Sequence, residues 1–132
     1  MPVLSGPDLR SVNSNHYTLS PLNPYCGLAV LLVDHGAVSA SENFSTMLVD
    51  AHRVKVVGRQ SAGTNGNNTR VQLPGDILVV YTGMEVLHTN GSQFHGIGIL
   101  PDVVVEPQAQ DFADGRDRAL EVAIQTLHQM GP

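Results

Sequence analysis

The feature that most limits what this chain can fold into is the run at residues 27–34, Gly-Leu-Ala-Val-Leu-Leu-Val-Asp. Six consecutive apolar residues, Leu28 to Val33, stop at an Asp34-His35-Gly36 turn. A short unbroken run of this kind is the pattern of a strand buried on both faces, as at the centre of a parallel sheet. It is far short of the roughly 20 residues that a bilayer span requires. After the turn a helix is expected from Ser39, with Phe44, Met47, Leu48 and Ala51 forming its apolar face at helical spacing. Residues 53–58 (Arg-Val-Lys-Val-Val-Gly) then read as a second strand. Strand, helix, strand makes a βαβ unit, whose crossover pairs the two strands in parallel. The fold class is α/β.

The remaining chain fits around that unit. Residues 1–24 are rich in Ser, Asn and Pro without periodicity and read as an irregular lead-in, leaving 25–132 as the domain. A Gly/Asn-rich loop at 59–69 precedes two short strands, 69–73 and 77–81, around Pro74-Gly75-Asp76, a hairpin pattern. Residues 85–88 add a further strand before the Thr89-Asn90-Gly91-Ser92 turn, and 103–105 form a short apolar segment. Leu120, Ala123, Ile124 and Leu127 fall at i, i+3, i+4 and i+7, so a closing helix is expected, capped by Asp111 or Asp114 and ended by Gly131.

Composition removes whole classes of function. A chain of 132 residues has room for one domain, and 42% apolar with 14% charged residues describes a globular chain. So little charge argues that part of the surface is covered by another subunit or chain. The net charge of −5, with only seven Lys and Arg, excludes a phosphate-binding face and hence nucleic acid. The single Cys26 forbids an internal disulfide, and its apolar neighbours suit a buried thiol. No histidine pair or acidic cluster has the spacing of a metal site, and no cofactor motif is present. Residues 1–15 lack the basic start and apolar centre of a signal peptide, so no export signal or compartment is read.

Ser39 admits two readings. Ser39-Ala40-Ser41-Glu42 matches the capping box, in which Ser and Glu satisfy each other's backbone donors. On spacing alone that role outweighs any other. Yet a hydroxyl at the head of a helix that follows a buried strand also sits among free N–H groups. There the Ala40 N–H could receive the negative charge that develops when Ser39 attacks a carbonyl.

The flanking blocks bear on this choice. Residues 36–42 (Gly-Ala-Val-Ser-Ala-Ser-Glu), then Val56-Val57-Gly58 and a Gly-rich loop, resemble the tail-specific (C-terminal-processing) serine protease family. Gly96-Ile97-Gly98-Ile99-Leu100-Pro101-Asp102 is similar to that family's closing Gly-x-Gly-x-x-Pro-Asp signature. The resemblance covers roughly residues 25–128, the carboxy-terminal part of such a catalytic domain. It implies a crotonase-like fold, a nucleophile at Ser39, an oxyanion-binding N–H at Ala40 and a peptide or protein substrate. The processing proteases carry a lysine base where this chain has Thr64, in Gly63-Thr64-Asn65-Gly66. The chain therefore looks closer to the branch of tricorn protease and the interphotoreceptor retinoid-binding protein. In tricorn protease the base is an upstream histidine, and a supporting glutamate falls at the place of His95 here. Gly36, Thr64 and Asn68 are carried over as substrate-side positions.

Six histidines could supply a base, since a neutral imidazole is the natural partner of a serine hydroxyl. His95 is the candidate, because the resemblance brings its segment near the site. His35 suits a turn cap or solvent, and His16, His52, His88 and His128 read as surface residues. Two functions follow. One is a serine peptidase-like domain that needs an upstream half-domain, a partner chain or a homo-oligomer to supply its base. The alternative is a non-catalytic module binding a peptide or small apolar ligand in the same cleft.

Overall fold

The computed structural model describes the backbone of residues 2–5 and 10–13 and the chain from 25 to 131. In chain order the elements are β1 (Pro2–Ser5), β2 (Arg10–Asn13), β3 (Val30–Val33), α1 (Ala40–Asp50) and β4 (Lys55–Gly58). They continue with β5 (Asn68–Leu73), β6 (Ile77–Thr82), β7 (Met84–Val86), β8 (Val103–Val104), α2 (Ala109–Ala113) and α3 (Arg118–Met130). The chain is mixed α/β, as expected. The lead-in expected to be irregular carries two strands: β1 pairs antiparallel with both β2 and β7. A composition rich in Ser and Asn hides strands held by backbone pairing with a distant partner.

The βαβ unit forms where the apolar runs place it. β3 and β4 pair in parallel, Val30 opposite Lys55 and Val33 opposite Gly58, and β8 joins the far side of β4. Alternation along the strands divides two cores. Leu31, Val33 and Val56 face Val49, Val86, Phe94 and Ile99 on one side. Val30 and Val57 face Ala119, Val122 and Ala123 of α3, with Val105, on the other. Val56, Val57, Phe94 and Ile99 are 2% exposed or less. Burial of each such side chain contributes about 1.5–3 kcal/mol.

Four expectations need correction. β3 is an edge strand of its sheet, with Leu32 44% exposed, so the run is not buried on both faces. The apolar positions of α1 do not define its buried face. Glu42, Ser45 and Thr46 point inward while Phe44 and Met47 are exposed. Ser45 Oγ and Thr46 Oγ1 donate to the carbonyls of Ser41 and Glu42 one turn back, both at 2.7 Å, so neither hydroxyl is buried unpaired. In α3 the packed face is Ala119, Val122 and Ala123, with Leu120 and Ile124 half exposed, and the cap is Asp117, whose Oδ1 accepts from Leu120 N–H at 2.9 Å. Asp111 instead lies in the first turn of α2, where Oδ2 accepts from Gln108 N–H. Cys26 is exposed, since it precedes the packed part of β3.

The hairpin forms as read, β5 pairing with β6 from Asn68–Thr82 to Leu73–Ile77. Its residues are almost all exposed, including Ile77, Leu78, Val80 and Tyr81. Together with the open edge of β3, this leaves apolar surface uncovered within the described residues. No described helix is long and apolar enough to cross a membrane.

Candidate active site

The parallel sheet delivers its strand ends and the head of α1 to one place. β3 ends at Val33, the chain turns through Asp34, whose Oδ1 accepts from Gly36 N–H at 2.8 Å, and α1 begins at Ala40. Ser39 is the N-cap and is exposed. Its backbone adopts φ 50° and ψ −109°. An N-cap serves its purpose with ordinary extended dihedrals, and a non-glycine residue in this region stores strain. Capping alone does not require it.

Glu42 holds that conformation. Its side chain is completely buried, and its carboxylate accepts from donors on two segments. Oε1 takes the Ser61 hydroxyl and the Gly63 N–H, both at 2.6 Å. Oε2 takes the N–H groups of Thr64 at 2.9 Å and Ser39 at 3.2 Å, with Thr64 Oγ1 at 3.3 Å. The Glu42 half of the capping box is therefore made. The Ser39 side chain faces the backbone of the third helical residue, but Oγ makes no cap hydrogen bond of good geometry. One buried carboxylate thus fixes the serine and the loop after β4 in a single constellation.

The closing glycine segment is packed against that loop. Ser61 Oγ, which donates to Glu42, also accepts from Ile99 N–H at 2.8 Å, and Gly96 N–H donates to Gly63 O at 3.0 Å. The approach is so close that side chains do not fit. Gly63 (φ 69°) and Gly98 (φ 71°) occupy left-handed conformations, and a Cβ on Gly98 would lie 2.3 Å from Ser61 Oγ. Asp102, from the Pro-Asp end of the same block, is structural. Oδ2 accepts from Val56 N–H at 2.8 Å and Oδ1 meets Lys55 Nζ at 3.2 Å, tying β8 to β4. The Val56 hydrogen bond is the main cause of its carboxyl sitting below the ordinary pKa, with Lys55 adding to it and slight burial opposing it.

The candidate residues divide between this constellation and its edges. Thr64 is in it, sharing one carboxylate oxygen with Ser39. The Ala40 N–H starts α1 beside Ser39 and makes no hydrogen bond to a described residue. Gly36 is exposed in the preceding turn, and Asn68 is exposed at the start of β5. His95 lies elsewhere. Its Nε2 sits 2.5 Å from the Asn65 carbonyl and 3.4 Å from Val86 N, bracing the loop that follows Thr64. No hydrogen bond joins an imidazole to Ser39 among the described residues, and His16 lies outside them. His35 is exposed, but His88 is not the surface residue expected, since Asp50 holds its ring at the other end of α1. No three His, Cys, Asp or Glu side chains gather as a metal site among the described residues.

Two residues central to this arrangement escaped the reading of the sequence. Glu42 was placed correctly as the third residue of a capping box, yet nothing in that motif foretells acceptors for a loop 20 residues away. Ser61 carried no signal at all, being one small polar residue in a loop of many.

Known proteins resemble this chain in sequence and fold. The model of Peptidase family S41 matches residues 9–105, most of the chain. A protein described as a CtpA-like serine protease, from Staphylococcus epidermidis, is 37% identical over 75 residues, covering 57% of this chain and 15% of the relative. A protein from Parabacteroides merdae described as a peptidase superposes with a TM-score of 0.75 at 27% identity, over 82% of this chain and 34% of that one. Tricorn protease superposes with a TM-score of 0.67 over 88% of this chain and 12% of its own, at 24% identity, a likeness of fold. The chain thus spans a small part of each of these proteins, and it belongs to peptidase family S41.

Proposed function

We propose that this chain carries the nucleophile half of a serine peptidase site, with Ser39 attacking the substrate carbonyl and the Ala40 N–H stabilising the oxyanion. The observation that carries the reading is the Ser39 backbone at φ 50° and ψ −109°, held by a buried carboxylate while the side chain stays exposed. Strain of this kind, sustained by a hydrogen bond network, marks a residue whose orientation has a use beyond helix capping. Oγ is accessible and is not consumed by a strong cap bond, so it is available as a nucleophile.

The general base is proposed to come from outside the described residues, from an upstream half-domain, a second copy or a partner chain. Thr64 occupies the place of the processing-protease lysine and cannot take a proton from Ser39. His95 could serve only through Nδ1, because its Nε2 is spent on Asn65. A crotonase-like assignment of the fold and a place on the tricorn-like branch belong to the same proposal. The substrate would be a peptide or protein segment passing Gly36, Thr64 and Asn68. The absence of an imidazole bonded to Ser39 among the described residues keeps a second reading alive, in which the cleft binds a peptide or small apolar ligand without cleaving it.

A fluorophosphonate probe, followed by peptide mapping, tests the assignment. The expected result is covalent capture at Ser39, slow in the chain alone and abolished by Ser39→Ala. Modification at another serine, or capture that survives Ser39→Ala, would remove Ser39 from the role. A folded chain that is never labelled favours the binding reading.

A further inference from the structure

The outer edge of β3 presents backbone groups that no described strand pairs. Within its sheet β3 has β4 on one side and no described strand on the other. Ala29 O accepts from Lys55 N–H at 3.2 Å, and Val33 O accepts from Arg59 N–H at 2.8 Å. In a parallel ladder alternate residues bond to the same neighbour, so Ala29, Leu31 and Val33 turn their N–H and C=O groups to β4. Val30 and Leu32 therefore turn theirs to the open side, and no described residue bonds to them there. Unpaired edge groups of this kind are a template for another strand.

Leu32 joins this edge to a cleft. Val30 packs on the α3 side of the sheet while Leu31 and Val33 pack on the other, so alternation puts the Leu32 side chain on the α3 side. There it is half exposed and lines a cleft of about 440 Å³, within the size range of small-ligand sites. Val105, Phe112 and Ala119 continue the apolar wall, with Phe112 75% exposed. Asp34, Arg59 and Asp117 supply the charges of the lining. Arg59 Nη2 lies 3.6 Å from Asp34 Oδ2, and Nη1 lies 3.9 Å from Glu106 Oε2, so neither carboxylate is held by a close hydrogen bond from it. With three carboxylates to one guanidinium, the cleft and its margin carry negative charge.

We propose that the β3 edge binds an extended peptide as an added strand, with an apolar side chain entering the cleft beside Leu32 and a basic side chain two residues away beside Asp34. Residues opposite each other on neighbouring strands share a face, so the residue opposite Leu32 directs its side chain to the α3 side. Positions two apart along a strand share that face too, and Asp34, which lines the same cleft, is two residues beyond Leu32. Backbone bonds supply the affinity and the cleft supplies the selection. The negative margin favours a cation and disfavours an acidic peptide. The edge leads into the turn before Ser39, yet strand addition does not require Ser39 to act as a nucleophile.

The test is a fluorescence-anisotropy titration of the Ser39→Ala chain with labelled Thr-Val-Thr-Leu-Thr-Lys-Thr-amide and with its reversed sequence, since the edge accepts either strand direction. Saturable binding of one of them is expected, and roughly two- to fivefold weaker binding when Glu replaces Lys. An added strand turns only every second N–H towards β3. N-methylation of alternate residues should therefore abolish binding in one set and spare it in the other. Phe112→Ala, at an exposed position, should weaken binding roughly fivefold or more and leave the melting curve unchanged. Asp34→Asn, which keeps an oxygen for Gly36 N–H, should narrow the preference for Lys over Glu. No saturation with either peptide, equal effects of the two N-methyl sets, or an unchanged response in either variant overturns the proposal. So does a chain that refuses both peptides but loses self-association in Leu32→Lys, since the edge then belongs to a second copy. Ser39 is absent throughout, so none of these failures bears on its labelling by the fluorophosphonate.

Discussion

Replacing Glu42 by glutamine probes the carboxylate that joins Ser39 to the loop at 61–64. The change is nearly isosteric, so packing is preserved and only the hydrogen bonding is altered. Glutamine offers one acceptor oxygen and one NH2 group where the native side chain presents two acceptors. If the NH2 replaces Oε2, the N–H groups of Ser39 and Thr64 both face a donor. If it replaces Oε1, Ser61 Oγ can turn to accept, but the Gly63 N–H, 2.6 Å away, is left facing a donor. A buried donor without a partner costs about 1–3 kcal/mol. Removal of the desolvated charge offsets part of this. The balance predicts a destabilisation of about 1–3 kcal/mol, within the usual range of single substitutions. For a chain of this size that lowers Tm by roughly 3–12 °C. Urea unfolding followed by circular dichroism measures the free energy, with Gln125→Ala, at an exposed position of α3, as the control near zero. Ser39 reactivity towards the fluorophosphonate should drop with it. A Glu42→Gln chain within 0.5 kcal/mol of the parent (roughly the noise of a surface substitution) would refute the view that this carboxylate fastens the site.

Three further outcomes follow from the same geometry. Ser39→Gly should be more stable than Ser39→Ala by about 1 kcal/mol, because only glycine relieves the left-handed backbone, and equal stabilities would remove the strain argument. Asp50 has a folded pKa below its unfolded value, so its contribution is complete above the unfolded pKa of about 3.9 and is lost as pH falls through the folded one. The stability gap between parent and Asp50→Asn should therefore narrow as pH falls below about 4, as unfolding curves at each pH will show. Leu32→Lys places a charge on the exposed edge strand and should lower self-association in sedimentation velocity while leaving Tm within a few degrees, whereas unchanged association would direct attention to the β5–β6 hairpin.

How much of this was legible depended on which physical signal each element carries. β3, β4 and the β5–β6 hairpin were readable because apolar runs and turn residues act locally, through propensity and φ freedom. The helix α1 was placed within one residue of its start because its cap is also a local pattern. Its orientation was not. The rule that apolar residues face inward chose Phe44 and Met47, and the structure buries Glu42, Ser45 and Thr46. Likewise β1 pairs with β7, about 80 residues away, as well as with β2, and no window of sequence around β1 contains that distant partner.

The inversion of α1 and the candidate site share one cause. A helix that buries an ionised side chain must bring enough donors to it, and Glu42 obtains them from Ser61, Gly63 and Thr64 as well as from Ser39. Those donors can gather only if the loop after β4 lies directly against the helix head. That in turn requires Gly63 and Gly98 to lie where a Cβ does not fit. The glycines of the closing block, the buried glutamate and the strained serine are therefore parts of a single packing solution. Each is unremarkable in isolation: a glycine turn, a capping box, a serine at an N-cap. Joined through one carboxylate, they hold an exposed hydroxyl beside an unbonded backbone N–H. The free N–H comes with any helix start, so it is the strained backbone of Ser39 that the proposed nucleophile role would account for.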